Sequence, residues 1–190
     1  MAISYGPNVT AETVDFVTNG SGTMTLSYNG PSTDMFKSGT TGWDTQAYSL
    51  TPFTAPCTIE FNKSAADNGG DNGVSYTMLG WNTDPTTNAD YGTIDHASYP
   101  FTKNNYYNYS NGSGTATGIA WSDLKKFYLV YGTDGFIRHY NGSTLLYSAN
   151  VGTGITYYFD SSFYSPNQQF GGIRNLRLIK RAWNGTSYTV

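Results

Sequence analysis

The run from Lys126 to Ser148 constrains the chain most. Phe127–Tyr131 is apolar and aromatic, and Thr133-Asp134-Gly135 breaks it. Phe136–Tyr140 resumes the pattern, Asn141-Gly142 breaks it again, and Thr144–Tyr147 completes a third run. Tight hairpin turns need positive φ, which glycine adopts without a Cβ clash, so Asp-Gly and Asn-Gly are their preferred dipeptides. Two such turns at this spacing predict a three-stranded antiparallel meander. The rest of the composition agrees. The chain holds only two glutamates, Glu12 and Glu60, too few helix formers for a bundle, while aromatics make up 16% with 17 tyrosines. Charged residues are 12% and the net charge is −3, so aromatic content rather than charge dominates, the opposite of a disordered chain. At 190 residues one domain with a sizeable core is expected.

Further strands are expected at Thr23–Tyr28, Thr58–Asn62, Val74–Trp81, His96–Phe101, Tyr106–Tyr109, Ile155–Phe159 and Ile173–Ile179. Short strands with frequent turns predict a sandwich or barrel. Only Ser122–Lys126 suggests a helical turn, and Ser38–Gly42 reads as a loop or linker. The longest apolar run, Phe127–Tyr131, falls far short of the roughly 20 residues of a spanning helix, so no membrane insertion is expected. Met1–Pro7 has neither a basic start nor an apolar stretch, so no signal peptide is expected. Cys57 stands alone beside a strand and reads as a small buried thiol in a chain folded in a reducing cytoplasm.

Gly42-Trp43-Asp44, Ala47-Tyr48-Ser49, Leu79–Pro85, Tyr91–Asp95, Tyr157–Ser165 and Ile173–Leu176 follow in a characteristic order. Their order and spacing resemble a concanavalin A-like, SPRY-like jelly-roll domain that recurs in viral surface proteins, including bacteriophage tail fibres. The resemblance runs from about 42 to 180. It implies an all-β, antiparallel two-sheet jelly-roll sandwich over 42–190, with 1–41 supplying extra strands or an attachment arm. It also implies a virion-surface role, and with few catalytic pairs in the chain the expectation is a non-enzymatic structural protein of a phage: a capsid decoration, knob or short fibre head, made in the host cytoplasm. Its partners would be other capsid or tail proteins and further copies of itself, a trimer by analogy. The alternative is a carbohydrate-binding lectin module that recognises a host-surface glycan.

Catalytic patterns are sparse. A glycosidase needs two carboxylates flanking one bond. Glu60 is followed two positions on by Asn62, and Asp84, Asp90 and Asp95 lack strand spacing. Asp95 and His96 are strand neighbours that point to opposite faces, and no Gly-x-Ser-x-Gly elbow exists. His139 is expected at a core edge or in solvent. The loop Asp67–Gly73 is rich in oxygen ligands that suit calcium but lacks a closing acid, so it reads as a turn, and no metal or cofactor is called for. Arg174, Arg177, Lys180 and Arg181 form a local basic edge, yet a pI near 5.1 argues against a nucleic-acid partner. Tyr99, Phe101, Tyr106, Tyr107, Tyr109 and Trp81 lie near Asn82, Asp84 and Asn104. Flat rings beside short polar groups suit sugars, and they equally suit a core or a subunit interface. The glycan-contact set expected here is Trp81, Asn82, Asp84, Tyr106 and Tyr107.

Overall fold

The structure, a computed structural model, describes residues 9–63, 76–102, 104–166 and 172–189. Two seven-stranded antiparallel sheets pack face to face. The first contains, from edge to edge, β12 (Thr144–Asn150), β11 (Phe136–Asn141), β10 (Phe127–Tyr131), β5 (Cys57–Lys63), β14 (Ile173–Ile179), β3 (Ser32–Ser38) and β2 (Thr23–Asn29). The second contains β1 (Phe16–Gly20), β4 (Thr45–Ser49), β13 (Tyr158–Phe163), β6 (Thr77–Asn82), β7 (His96–Thr102), β8 (Asn105–Ser110) and β9 (Ser113–Ala116). A short hairpin, β15 (Ala182–Trp183) with β16 (Tyr188–Thr189), lies over the outer side of the first sheet, where Trp183 and Tyr188 meet Tyr128.

The expected meander is β10–β11–β12, with Tyr128 opposite Tyr140 and Leu129 opposite His139. Gly135 and Gly142 take φ of +77° and +61° at its turns. Alternation sorts each strand between two faces. Phe127, Leu129 and Tyr131 of β10 turn inward with Ile59 and Phe61 of β5, against Leu79 and Trp81 of β6 and Phe159 and Phe163 of β13. Phe61 and Phe127 stack at 5.1 Å between adjacent strands. Cys57 is buried in the same core, and burial pushes its thiol pKa far up.

β3, which the sequence pattern misses, and β13, which it misplaces, have polar inward positions. β3 carries Lys37 inward; its ammonium donates to Gly42 O at 2.6 Å and Phe163 O at 3.2 Å and pairs with Asp44. β13 lies at Tyr158–Phe163 rather than 155–159, and its serines are buried because they are bonded. Ser161 Oγ donates to Ala47 O at 2.6 Å and Ser162 Oγ to Ala89 O at 2.7 Å. The helical turn expected at Ser122–Lys126 is an irregular turn instead. Asn141 holds it, its Nδ2 donating to Ser122 O and Lys125 O at 3.0 and 3.1 Å. Before residue 42, β1 joins the second sheet while β2 and β3 join the first, and Val14 and Met35 enter the core.

His139 corrects its expected place at an edge or in solvent. It is fully buried between the sheets, because alternation along β11 turns Ile137 and His139 the same way. Its Nδ1 meets the Tyr106 hydroxyl at 2.7 Å, and burial lowers its pKa to about 3, so the ring is neutral. The oxygen-rich loop Asp67–Gly73 lies outside the described residues.

Candidate functional site

The outer face of the second sheet is aromatic. Tyr99 and Phe101 of β7 and Tyr107 and Tyr109 of β8 share it, two residues apart on each strand, with Met78 and Ala97 beneath. Loops add Trp43, Tyr76, Tyr91 and Tyr164. The eight rings form a continuous chain of contacts. Trp43 meets Tyr91 at 5.0 Å, Tyr164 at 5.4 Å and Tyr99 at 5.8 Å. Tyr99 meets Phe101 at 5.1 Å and Tyr109 at 5.8 Å, and Phe101 meets Tyr107 at 5.9 Å. Tyr76 joins Tyr164 at 5.4 Å. Tyr99 is buried and the other seven are half-buried, so the surface offers ring faces and edges together. Burial, reinforced by the neighbouring tyrosines, pushes the Tyr99 phenol pKa far up and keeps it neutral.

Polar ties position the loop-borne rings. Asp44, next to Trp43, pairs with Lys37 and accepts from Ser21 Oγ. The Lys37 ammonium, then the Ser21 hydroxyl, hold its carboxyl well below the usual carboxylate range. The segment 83–95 folds over the sheet and delivers Tyr91 and Ile94. Gln46 Nε2 donates to Pro85 O at 3.1 Å, and Thr83 N and Oγ1 donate to Asp95 Oδ2 at 2.8 and 2.7 Å. A 3-10 turn at Tyr91–Thr93 is capped by Asp90, whose Oδ1 accepts from Gly92 N at 2.7 Å. The β8–β9 turn packs against it: a Cβ on Gly112 would lie 3.2 Å from Gly92 Cα.

Under this loop lies a carboxyl that sequence reading missed. Asp160 Oδ2 accepts from Asn82 Nδ2 at 2.8 Å and its Oδ1 from Ser161 N at 2.7 Å. Burial pushes its pKa up to about 7, against those two hydrogen bonds; the charges of Asp84 and Asp95 add to the rise. Asn82 Oδ1 in turn accepts from Asp84 N at 3.2 Å, so the pair anchors the loop's first residues.

The five residues expected to contact a glycan do not converge. Trp81 and Tyr106 are wholly buried and face the core, Trp81 beside Phe53 and Tyr157, Tyr106 bonded to His139. Asn82 is buried under the loop. Asp84 is exposed, its Oδ2 accepting from Thr87 Oγ1 at 3.0 Å, and Tyr107 lies in the outer aromatic face. The cause is the two-residue period of a strand: 81 and 82, like 106 and 107, point to opposite sides. Tyr99–Phe101 and Tyr107–Tyr109 carry that period in the sequence. Trp43, Tyr76, Tyr91 and Tyr164 come from distant segments with no common pattern.

Elsewhere, charges are neutralised in place. Arg174 pairs with Asp34 at 3.1 Å, Arg177 with Glu60 at 3.3 Å and Lys180 with Glu12 at 3.1 Å, so the basic edge is largely matched by carboxylates. Glu60 also takes Lys126 at 2.6 Å and the Tyr188 hydroxyl at 2.7 Å. Burial pushes its pKa up, but the Lys126 and Tyr188 hydrogen bonds and the Lys126 and Arg177 charges outweigh it, leaving a net lowering. Among the described residues no group of three or more His, Cys, Asp and Glu is placed to hold a metal ion.

No protein-family model matches the chain, and no curated protein matches its sequence. Solved structures do resemble it. The PSpry domain of TRIM65 superposes with a TM-score of 0.58 at 11% identity, over 87% of this chain and 89% of that one. The carbohydrate-binding module CBM66 from Bacillus subtilis gives 0.44 at 13% identity, over 90% and 92%. Botulinum neurotoxin type C, which depends on two ganglioside molecules to get into cells, gives 0.48 at 12% identity. That match covers 90% of this chain, which spans 44% of the neurotoxin chain. The likeness to the PSpry domain and the two seven-stranded antiparallel sheets define the fold class: a two-sheet jelly-roll sandwich.

Proposed function

We propose that the protein is a non-enzymatic binding module that recognises carbohydrate through the outer aromatic face of its second sheet. The observation that carries this reading is the continuous set of eight contacting rings on one side of the sheet, seven of them half-open to solvent. Aromatic rings take the C–H faces of a sugar, and the exposed rim residues Asp84 and Asn88 supply groups for its hydroxyls. The strongly paired state of Glu60 and the burial of Asp160, His139 and Cys57 leave these groups to structure rather than to turnover. Deployment on a virion surface, as decoration or fibre head, is the setting the sequence resemblance suggests for such a module.

A second reading uses the same face. Seven half-open rings on a chain with 12% charged residues also suit burial against another copy. Glycan-array binding, repeated with a Tyr91→Ala/Tyr107→Ala double variant of unchanged thermal midpoint, separates the two. Loss of glycan signal in the variant supports carbohydrate recognition. Retention unaffected by the change discards the face, and a parent that sediments as an oligomer which the variant dissolves favours the subunit contact. Hydrolysis of any bound glycan by the pure protein overturns the non-enzymatic reading.

A further inference from the structure

We infer that the opposite side of the molecule carries a second ligand site, a groove built to take a neutral polyhydroxylated ring. It lies on the outer face of the first sheet, between the β10–β11 turn and the β15–β16 hairpin, and holds about 340 Å³. That volume falls in the range of small-ligand sites, which run from about 300 to 1,000 Å³. Asp134, Arg138, Tyr140, Trp183 and Asn184 line the groove, with Val130 buried at its base.

Three features make this a prepared site. First, the aromatic wall is fixed. Trp183 stacks on Tyr128 at 4.2 Å with the rings 9° from parallel, and its Nε1 donates to Gly142 O at 3.3 Å. A ring held this way loses little freedom when a ligand arrives. Second, the polar wall is a forked pair: Arg138 Nη1 and Nη2 donate to the two oxygens of Asp134 at 3.1 and 2.5 Å. The guanidinium also rests over the Phe136 ring, 4.9 Å from its centre. Both partners are part-exposed, so each retains hydrogen-bonding capacity toward the groove. Third, Gly132 makes room for that pair. A Cβ there would come within 2.5 Å of Asp134 Oδ1 and 3.2 Å of Arg138 Nη1. Its φ is not in the left-handed region, so a Cβ there would act by shifting the Asp134–Arg138 pair rather than by straining the backbone.

Charge selects the ligand class. Asp134 and Arg138 are the charged residues lining the groove, and they cancel. An anionic or cationic ligand would have to separate them. A neutral pyranose would not: its hydroxyls would donate to the carboxylate and accept from the guanidinium, while its C–H face lies on Tyr140 and Trp183. This site shares no residue with the aromatic face of the second sheet and stands or falls without it.

The test is an amide-resolved NMR titration of the intact chain with the methyl pyranosides of glucose, galactose, mannose and N-acetylglucosamine. Shifts at 132–134, 138 and 183–184 for at least one of them are expected. Arg138→Ala should weaken that binding by about tenfold, as loss of charged hydrogen bonds does. Gly132→Ala should weaken it also, by displacing the pair, and an unchanged thermal midpoint of each variant verifies that its fold is intact. Tyr91→Ala/Tyr107→Ala should leave these shifts intact. Absence of shifts at the groove with all four sugars, or shifts that Arg138→Ala leaves unchanged, overturns the inference whatever the aromatic face does.

Discussion

Single residues here carry opposite obligations from one position to the next. Trp81 fills the core while Asn82 anchors a loop on the other side of the sheet. Trp81→Ala is therefore expected to cost about 3–5 kcal/mol of stability, as large-to-small core changes do, read by urea denaturation. Gly142 sits at φ +61° with only the flexible Lys125 side chain near its missing Cβ. Gly142→Val should destabilise by about 1 kcal/mol or more through backbone strain alone. A variant as stable as its parent would show that the turn can change type. Turn glycines were legible in the sequence because their dipeptides report φ directly. The facing of Trp81 and Tyr106 was not, since an apolar ring fits either side of a strand whose register is unknown.

Among elements, the β10–β11–β12 meander was readable and β3 was not, for physical reasons. A strand shows in sequence when most of its inward positions are apolar or when turn dipeptides bound it, as Asp134-Gly135 and Asn141-Gly142 bound β11 despite its inward His139. Lys37 breaks that rule because its ammonium finds carbonyls and Asp44 inside the sandwich. The candidate surface was half legible on the same grounds: β7 and β8 show alternating rings, whereas Trp43, Tyr91 and Tyr164 reach the face on loops held by side-chain bonds no pattern reports. The β15–β16 hairpin rests on Glu60 through Tyr188 and on Tyr128 through Trp183. Tyr188→Phe removes one donor from a buried carboxylate that keeps two cations, so a loss of about 1 kcal/mol is expected. Hydrogen exchange should show the amides of 182–189 opening faster while those of β10 hold.

For the whole molecule, acidity divides between two buried groups with opposite signs. The folded pKa of Asp160 is raised to about 7 from 3.8. Its favourable contribution is complete below the unfolded value and disappears as pH climbs through about 7. His139 is lowered to about 3 from 6.5, so its contribution is complete above 6.5 and disappears as pH falls toward 3. Asp160→Asn should remove the first effect alone. The thermal midpoint of this variant relative to the parent should rise between about pH 4 and 7 and level off above. A difference independent of pH over that window would show that Asp160 keeps an ordinary acidity.

The four tryptophans are distributed over the layers of the sandwich. Trp43 belongs to the outer aromatic face, Trp81 and Trp121 to the core, and Trp183 to the hairpin groove on the far side. The protein thus carries its own set of optical reporters. Variants retaining one indole at a time, with phenylalanine at the others, would let emission and quenching tell a sugar on one flank from a sugar on the other. The interior pair would stay silent until the sheets part.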